Sequence, residues 1–418
     1  MKSAAARLPE KAVEAATPHV KRRPAVEIAY IGVILAVILL GIVQTVMPIW
    51  HFQDLDERRQ PAPIDDYLAG LRTHDPQLPA KASQWFDDRF GFRPILIRLH
   101  NEVLYRAFGT GDRVYIGKDG FLFSKALIAA DKDVSRTPEL VERTADSVLQ
   151  GFRNLRAELA GRGIRLVVVS IPPKQDFYRQ YLPADAPPMP DPFLPHRLRE
   201  RLKREAGLIY VDASIPLEAA RTPDPGLRPL YYRTDPHMGF WGARVVAPAI
   251  ADAIAEDAGM TAPPWPEFHN PYEVAVPGGA EQRFLGLMTP LMEHVDSYRD
   301  TPVLMRDTDT AYWEKDPRFR NTETIDSRII FEFAYHARPD HLQGRLPPIV
   351  VYGDSFADHL MVSGFLDEVA AAYRSRQSDI PLAEVVRNIP DGVKYFMIVY
   401  NENVAVRYAG PPYLFGNR

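Results

Sequence analysis

Residues 348–356 read Pro-Ile-Val-Val-Tyr-Gly-Asp-Ser-Phe. A short run of β-branched and aromatic residues between a proline and a glycine suits a strand buried on both faces. Gly-Asp-Ser follows it, and a helical pattern opens near Ser355. The unit is therefore strand, tight turn, helix. Open α/β sheets place their sites at the C-terminal ends of parallel strands. A serine at this point would expose its hydroxyl beside the free backbone N–H groups of a helix start, which favour developing negative charge. Gly353 lets the chain turn tightly and lets a substrate approach. The same residues also fit a plain helix cap, because serine is a common N-cap. A partner base decides between the two.

Further strands of the same kind flank this one. Arg165–Ile171 (RLVVVSI), Leu208–Val211 (LIYV) and Lys394–Tyr400 (KYFMIVY) are short and apolar. Helical patterns over Pro138–Ala160 and Gly242–Asp257 alternate with them. Such alternation predicts an α/β domain with a largely parallel sheet flanked by helices. A hairpin is expected over Val114–Phe123, with Lys118-Asp119-Gly120 as its turn. A helix is expected over Lys81–Phe108, with Phe86, Phe90, Ile95, Leu99, Val103 and Leu104 facing inward. Residues 258–345 break the rhythm and are rich in proline, charge and aromatics. They read as an insertion with some β structure, including a strand near Arg328–Ala334, that forms a rim over the site.

A serine needs a base to become a nucleophile. Tyr231-Tyr232-Arg233-Thr234-Asp235-Pro236-His237 supplies the best candidate among 11 histidines. Pro236 keeps Asp235 out of helix and stiffens the segment. At this spacing the Asp235 carboxylate can hold one imidazole nitrogen of His237 while the other faces Ser355. The alternative is that Asp235 caps the next helix and His237 is an ordinary surface residue. His359 is a rival base, four residues after Ser355, but its neighbour Asp358 points away. It is expected to be an exposed helix residue.

The N-terminus suggests a compartment. Residues 28–50 carry no charge before His51, and Lys21-Arg22-Arg23 stand just ahead. That is enough apolar chain to cross a bilayer. The basic residues favour a cytoplasmic N-terminus. A cleaved signal peptide is the alternative, but no small-x-small cleavage pattern follows. The expected organisation is a cytoplasmic tail (1–23), a transmembrane anchor (24–50), a stalk (51–80) and a domain (81–418). The chain of 418 residues has 46% hydrophobic and 25% charged residues, a net charge of −4, 39 prolines and no cysteine. This balance suits a globular core and excludes disulfides and thiolate chemistry. No basic run interleaved with aromatics points to nucleic acid. The histidines show no metal-ligand spacing, so neither metal nor cofactor is expected.

Taken together, four segments resemble the alginate O-acetyltransferase type of SGNH-hydrolase-like proteins. They are Arg89–Arg93 leading to Gly117–Phe123; Val167–Lys174 with Tyr178 and Tyr181-Leu182-Pro183; Arg233–His237; and Gly353–Phe356. The resemblance spans roughly residues 85–400. It implies an SGNH-like, circularly permuted fold in which the Asp/His pair precedes the serine. It implies a triad of Asp235, His237 and Ser355 that acetylates hydroxyls of a bacterial exopolysaccharide through an acetyl-serine. It also implies an acetyl donor supplied by a membrane-bound O-acyltransferase, and a catalytic domain in the periplasm, held by one span of the inner membrane. Two departures stand out. Met238-Gly239-Phe240 follows the histidine, where tryptophan and a Ser/Thr cap are usual. Tyr400–Val404 stands where the family shows a glutamate-rich ending. No carbohydrate-binding module of the kind some relatives carry is expected after the last strand.

On this basis Ser355, its backbone N–H and Gly353 form the acylation turn. Lys174 and Arg233 are expected to hold an acidic polysaccharide. Tyr178 and Tyr232, with Tyr181 and Tyr231, are candidates to stack on sugar rings, although tyrosines in such loops often serve packing. Two rival functions use the same residues differently. One is a carbohydrate acetylesterase with water as acceptor. The other is a non-catalytic scaffold of an exopolysaccharide export complex.

Overall fold

The computed structural model describes residues 24–47, 49–52, 55, 63–265, 271–298, 311–315, 330–361, 363–376 and 380–409. The expected tail, part of the expected stalk and residues 328–329 of the expected strand lie outside these. The chain forms two compact units, residues 1–54 with 58–97, and residues 55–57 with 98–418.

In the first unit the apolar run forms one helix, Pro24–Val46. Its Glu27–Val46 stretch is long and apolar enough to cross a membrane by length and composition. Its aliphatic side chains are exposed almost all round, as lipid-facing residues would be. The helix predicted over 81–108 is instead two, Leu78–Arg89 and Arg93–Phe108. The break falls at Phe90-Gly91-Phe92, where Gly91 N–H donates to Thr45 Oγ1 at 2.9 Å. A Cβ on Gly91 would stand 2.5 Å from Gln44 Cγ, so only glycine permits this approach. Phe86, Leu99 and Val103 are exposed, contrary to the inward stripe that periodicity predicted.

The second unit is built on strands β1 (Val114–Ile116), β2 (Leu122–Ser124), β3 (Arg165–Ile171), β4 (Ile209–Asp212), β5 (Pro271–Pro277), β6 (Met292–Tyr298), β7 (Ala311–Lys315), β8 (Phe333–Ala337), β9 (Ile349–Gly353), β10 (Ala371–Arg376) and β11 (Tyr395–Asn401). β1 and β2 pair as the expected hairpin. Its turn puts Asp119 (φ 54°) and Gly120 (φ 77°) in the left-handed region, which Asp-Gly tolerates well. The main sheet runs β4-β3-β11-β9-β10-β8-β7. β4, β3, β11, β9 and β10 are parallel, whereas β8 and β7 join antiparallel. The sheet is thus mixed rather than parallel throughout. The insertion supplies its antiparallel edge, and also the separate β5–β6 ribbon.

Alternate residues of the central strands enter two cores. Val167, Val169, Val351, Met397 and Val399 pack on one face with Val246, Ile250 and Ile254 of the Phe240–Ala258 helix. Leu166, Val168, Val350, Phe396 and Ile398 pack on the other with Val148, Phe152 and Leu155 of the Pro138–Ala160 helix. Each fully buried side chain of this size contributes about 1.5–3 kcal/mol. That two-sided burial is why these strands read as continuous apolar runs, and it locks β9 into the middle of the sheet.

Candidate active site

β9 ends at Gly353, opposite Val399 of β11. A Cβ there would lie 2.1 Å from the Val399 carbonyl oxygen, so the strand end closes on its neighbour only with glycine. Asp354 then turns the chain. Its carboxylate accepts from Phe356 N–H at 2.9 Å and from Asn401 N–H at 2.9 Å. The end of β11, where the sequence departs from the family pattern, thus helps hold the turn. From the other side Arg374 of β10, fully buried, donates to the carbonyls of Gly353 (3.1 Å) and Asp354 (2.7 Å). Its Nε also pairs with Asp358 at 2.7 Å. Ser355 opens the next helix, Ser355–Met361.

Across the sheet end, the loop before the Phe240–Ala258 helix presents Asp235 and His237. His237 Nε2 lies 2.5 Å from Ser355 Oγ. Its Nδ1 is hydrogen-bonded to Asp235 Oδ1, and its backbone N–H donates to the same oxygen at 3.0 Å. Ala280 N–H donates to Asp235 Oδ2 at 2.6 Å. Burial disfavours the Asp235 carboxylate, but His237 and the N–H donors outweigh it and hold the carboxyl well below its usual range. For His237, burial opposes the charged form, while the Asp235 hydrogen bond and charge win and raise its pKa above the ordinary histidine value. A base whose proton affinity is raised in this way readily takes a proton. The arrangement can deprotonate a serine hydroxyl and stabilise the resulting imidazolium.

The supports of Asp235 were invisible in the sequence. Lys174 Nζ donates to Asp235 O (3.1 Å), Arg233 O (2.9 Å) and Leu122 O (2.6 Å), and pairs with Glu281 at 2.6 Å. Glu281 also accepts from Ser124 N–H at 2.8 Å. Burial raises the Glu281 pKa, against the pull of the Lys174 ammonium. Glu293 of β6 takes Arg233 N–H at 2.6 Å and the Thr234 hydroxyl at 2.7 Å. Gly279 closes the cradle, since a Cβ there would sit 2.0 Å from Asp235 Oδ2. Residues 278–293 therefore serve as a brace beneath Asp235. The one cue was Gly278-Gly279, a pair suited to close backbone approach.

Two expected substrate contacts are corrected. Lys174 is 1% exposed and committed to four protein oxygens, so it has no donor to spare for a polysaccharide. Tyr178 is 2% exposed within a cluster of Phe121, Phe177, Tyr181 and Tyr231, and its hydroxyl accepts from Leu230 N–H at 3.1 Å. Tyr181 and Tyr231 are buried with it and donate to the carbonyls of Pro223 and Pro172. These tyrosines are core residues. Arg233 is half-buried, with its guanidinium over Phe121 and donating to Gly226 O at 2.9 Å. Tyr232 is half-buried at the site's edge, its ring 6.1 Å from that of His359. His359 is not an exposed helix residue either. It is half-buried with its ring 5.3 Å from that of His237, while Asp358 beside it is tied to Arg374 and Arg376.

The central sheet carries helices on both faces, and the serine at a strand end faces the Asp-x-His loop; the fold is SGNH-hydrolase-like. Residues 114–312 match the family profile described as SGNH hydrolase-like domain, acetyltransferase AlgX. The resemblance to the alginate O-acetyltransferase family rests on that segment, which includes Asp235 and His237 and ends before Ser355. The chain is 25% identical over 189 residues to a probable alginate O-acetylase AlgJ of Pseudomonas putida, covering 45% of this chain and 46% of that protein. It is 24% identical over 245 residues to the protein of the same name from Pseudomonas fluorescens, covering 57% and 58%. The chain therefore spans about half the length of the curated relatives it matches. Among solved structures it is similar to the O-acetyltransferase domain of Pseudomonas putida AlgJ, at 17% identity and a TM-score of 0.43, over 70% of this chain and 92% of that one.

Proposed function

We propose that this protein is an O-acetyltransferase that moves acetyl groups onto hydroxyls of a bacterial exopolysaccharide through an acetyl-Ser355 intermediate. The observation that carries the reading is the continuous hydrogen-bond chain from Asp235 through His237 to Ser355. His237 takes the Ser355 proton as Oγ attacks the acetyl carbonyl, and the Ser355 backbone N–H receives the oxyanion. The donor's leaving group departs with the proton from His237. A sugar hydroxyl then attacks the acetyl-enzyme and gives its proton to His237, which passes it to Ser355 Oγ as the serine ester bond breaks and the acetylated sugar leaves. Tyr232 and Arg233, beside the site, are assigned to the acceptor.

The same proposal extends to the setting. The Pro24–Val46 helix anchors the chain in the inner membrane with Lys21-Arg22-Arg23 on the cytoplasmic side, and the second unit works in the periplasm. There a membrane-bound O-acyltransferase supplies the acetyl group. The test uses the full chain in detergent with an aryl acetate and oligosaccharides. Acetylated sugar from the wild type and none from Ser355→Ala is the expected result. Free acetate with no acetylated sugar would make the protein an esterase, and unchanged transfer by Ser355→Ala would remove the serine from the chemistry.

A further inference from the structure

One chemically competent side chain at the site has no part in the hydrogen-bond chain. His359 lies one helical turn after Ser355, on the same helix face. Its ring centroid is 5.3 Å from that of His237 at an interplanar angle of 36°, and 6.1 Å from that of Tyr232. Neither ring nitrogen makes a hydrogen bond among the described residues, and the side chain is half-buried, with part of its surface open. It is therefore free to bond a group that arrives at the Ser355–His237 edge. Burial and the neighbouring His237 hold the His359 pKa down at about 4, against the opposing pull of Asp358 and Asp235. The ring is therefore neutral at neutral pH, with one N–H to donate.

We propose that His359 donates that N–H to the acyl oxygen of the substrate, as a second oxyanion donor beside the Ser355 backbone N–H. The inference rests on the acyl-transfer reading above and deepens it. As the Ser355 Oγ–carbon bond forms, the carbonyl π pair moves onto oxygen and the serine proton passes to His237 Nε2. The His359 N–H then faces a full negative charge where it faced a carbonyl dipole before. A neutral donor suits this place, since a second cation would repel the imidazolium on His237. When the tetrahedral species collapses, the oxygen pair re-forms the carbonyl and the leaving group takes the His237 proton. His359 gains and loses no proton in the cycle.

The test is the burst of arylate release when the full chain in detergent meets an aryl acetate. His359→Phe keeps an aromatic ring and removes the N–H, whereas His359→Gln keeps an N–H. Loss of one oxyanion donor slows such a step by about 10²–10³-fold. That loss is expected for His359→Phe, with His359→Gln at least tenfold faster than it. If His359→Phe fails to fold, judged by circular dichroism, the smaller His359→Leu answers the same question. A folded variant lacking the N–H that stays within about threefold of wild type would overturn the proposal. Equal losses in folded Phe and Gln variants would also overturn it, because they would mark a packing role. A burst that survives Ser355→Ala would instead defeat the acyl-serine reading, which separates the two failures.

Discussion

Replacing Glu281 with alanine should damage both the fold and the site. Glu281 is 1% exposed and is the carboxylate partner of Lys174 at 2.6 Å. Without it the Lys174 ammonium keeps three backbone carbonyls, so its N–H groups stay bonded, but its charge is buried without a counter-charge. Removing one partner of a buried pair costs about 3–5 kcal/mol. At about 2–4 °C per kcal/mol, the scale for domains of about 150–250 residues, Tm should fall by roughly 6–20 °C. Activity should fall too. The same ammonium holds the Asp235 carbonyl, and the neighbouring Ala280 N–H holds the Asp235 carboxylate. Thermal unfolding followed by circular dichroism reads the first effect, and acetyl transfer at a temperature where the variant is folded reads the second. A variant that loses less than about 1 kcal/mol would refute the reasoning.

Gly279→Ala would put a Cβ 2.0 Å from Asp235 Oδ2. The carboxylate must shift by roughly an ångström, and such a misplacement costs about 10²-fold in kcat while the far-UV spectrum stays unchanged. Arg374→Met removes the donors from the Gly353 and Asp354 carbonyls and the partner from Asp358; denaturant titration should show a loss of about 2–4 kcal/mol. The pH dependence follows from His237, whose pKa is raised in the fold. The base must be neutral to act, so activity should fall as pH drops through that pKa, and the acid limb of kcat/KM should have its midpoint above 6.5. The stability from the raised His237 pKa runs the other way: it is full below the unfolded-state histidine pKa and is lost as pH rises through the folded one. Asp235→Asn should move the acid limb downward and cut kcat by roughly 10³–10⁴-fold.

How far the residues spoke for themselves differs from element to element. β3, β9 and β11 were legible because both of their faces are buried, which makes them unbroken apolar runs. β10 was not, since Ala371–Arg376 carries two arginines and reads as surface chain. Only in the sheet does Arg374 find carbonyls and Asp358 to satisfy it. Tyr178 and Lys174 looked like ligand contacts because polar and aromatic residues in proline-rich loops often are. Their true surroundings come from Phe121, Leu230 and Glu281, which lie far away in the chain.

The sequence by itself determined the α/β alternation, the serine at a strand end, the stiff Asp-Pro-His segment and the apolar N-terminal run. Each follows from local periodicity, proline geometry or length, all of which act between near neighbours. Only the tertiary structure set the distance at which His237 meets Ser355 across 118 positions of chain, the brace of residues 278–293 beneath Asp235, and the place of His359 beside the pair. Those outcomes depend on strand order and on the burial of charges against distant partners, and no spacing along the chain encodes them.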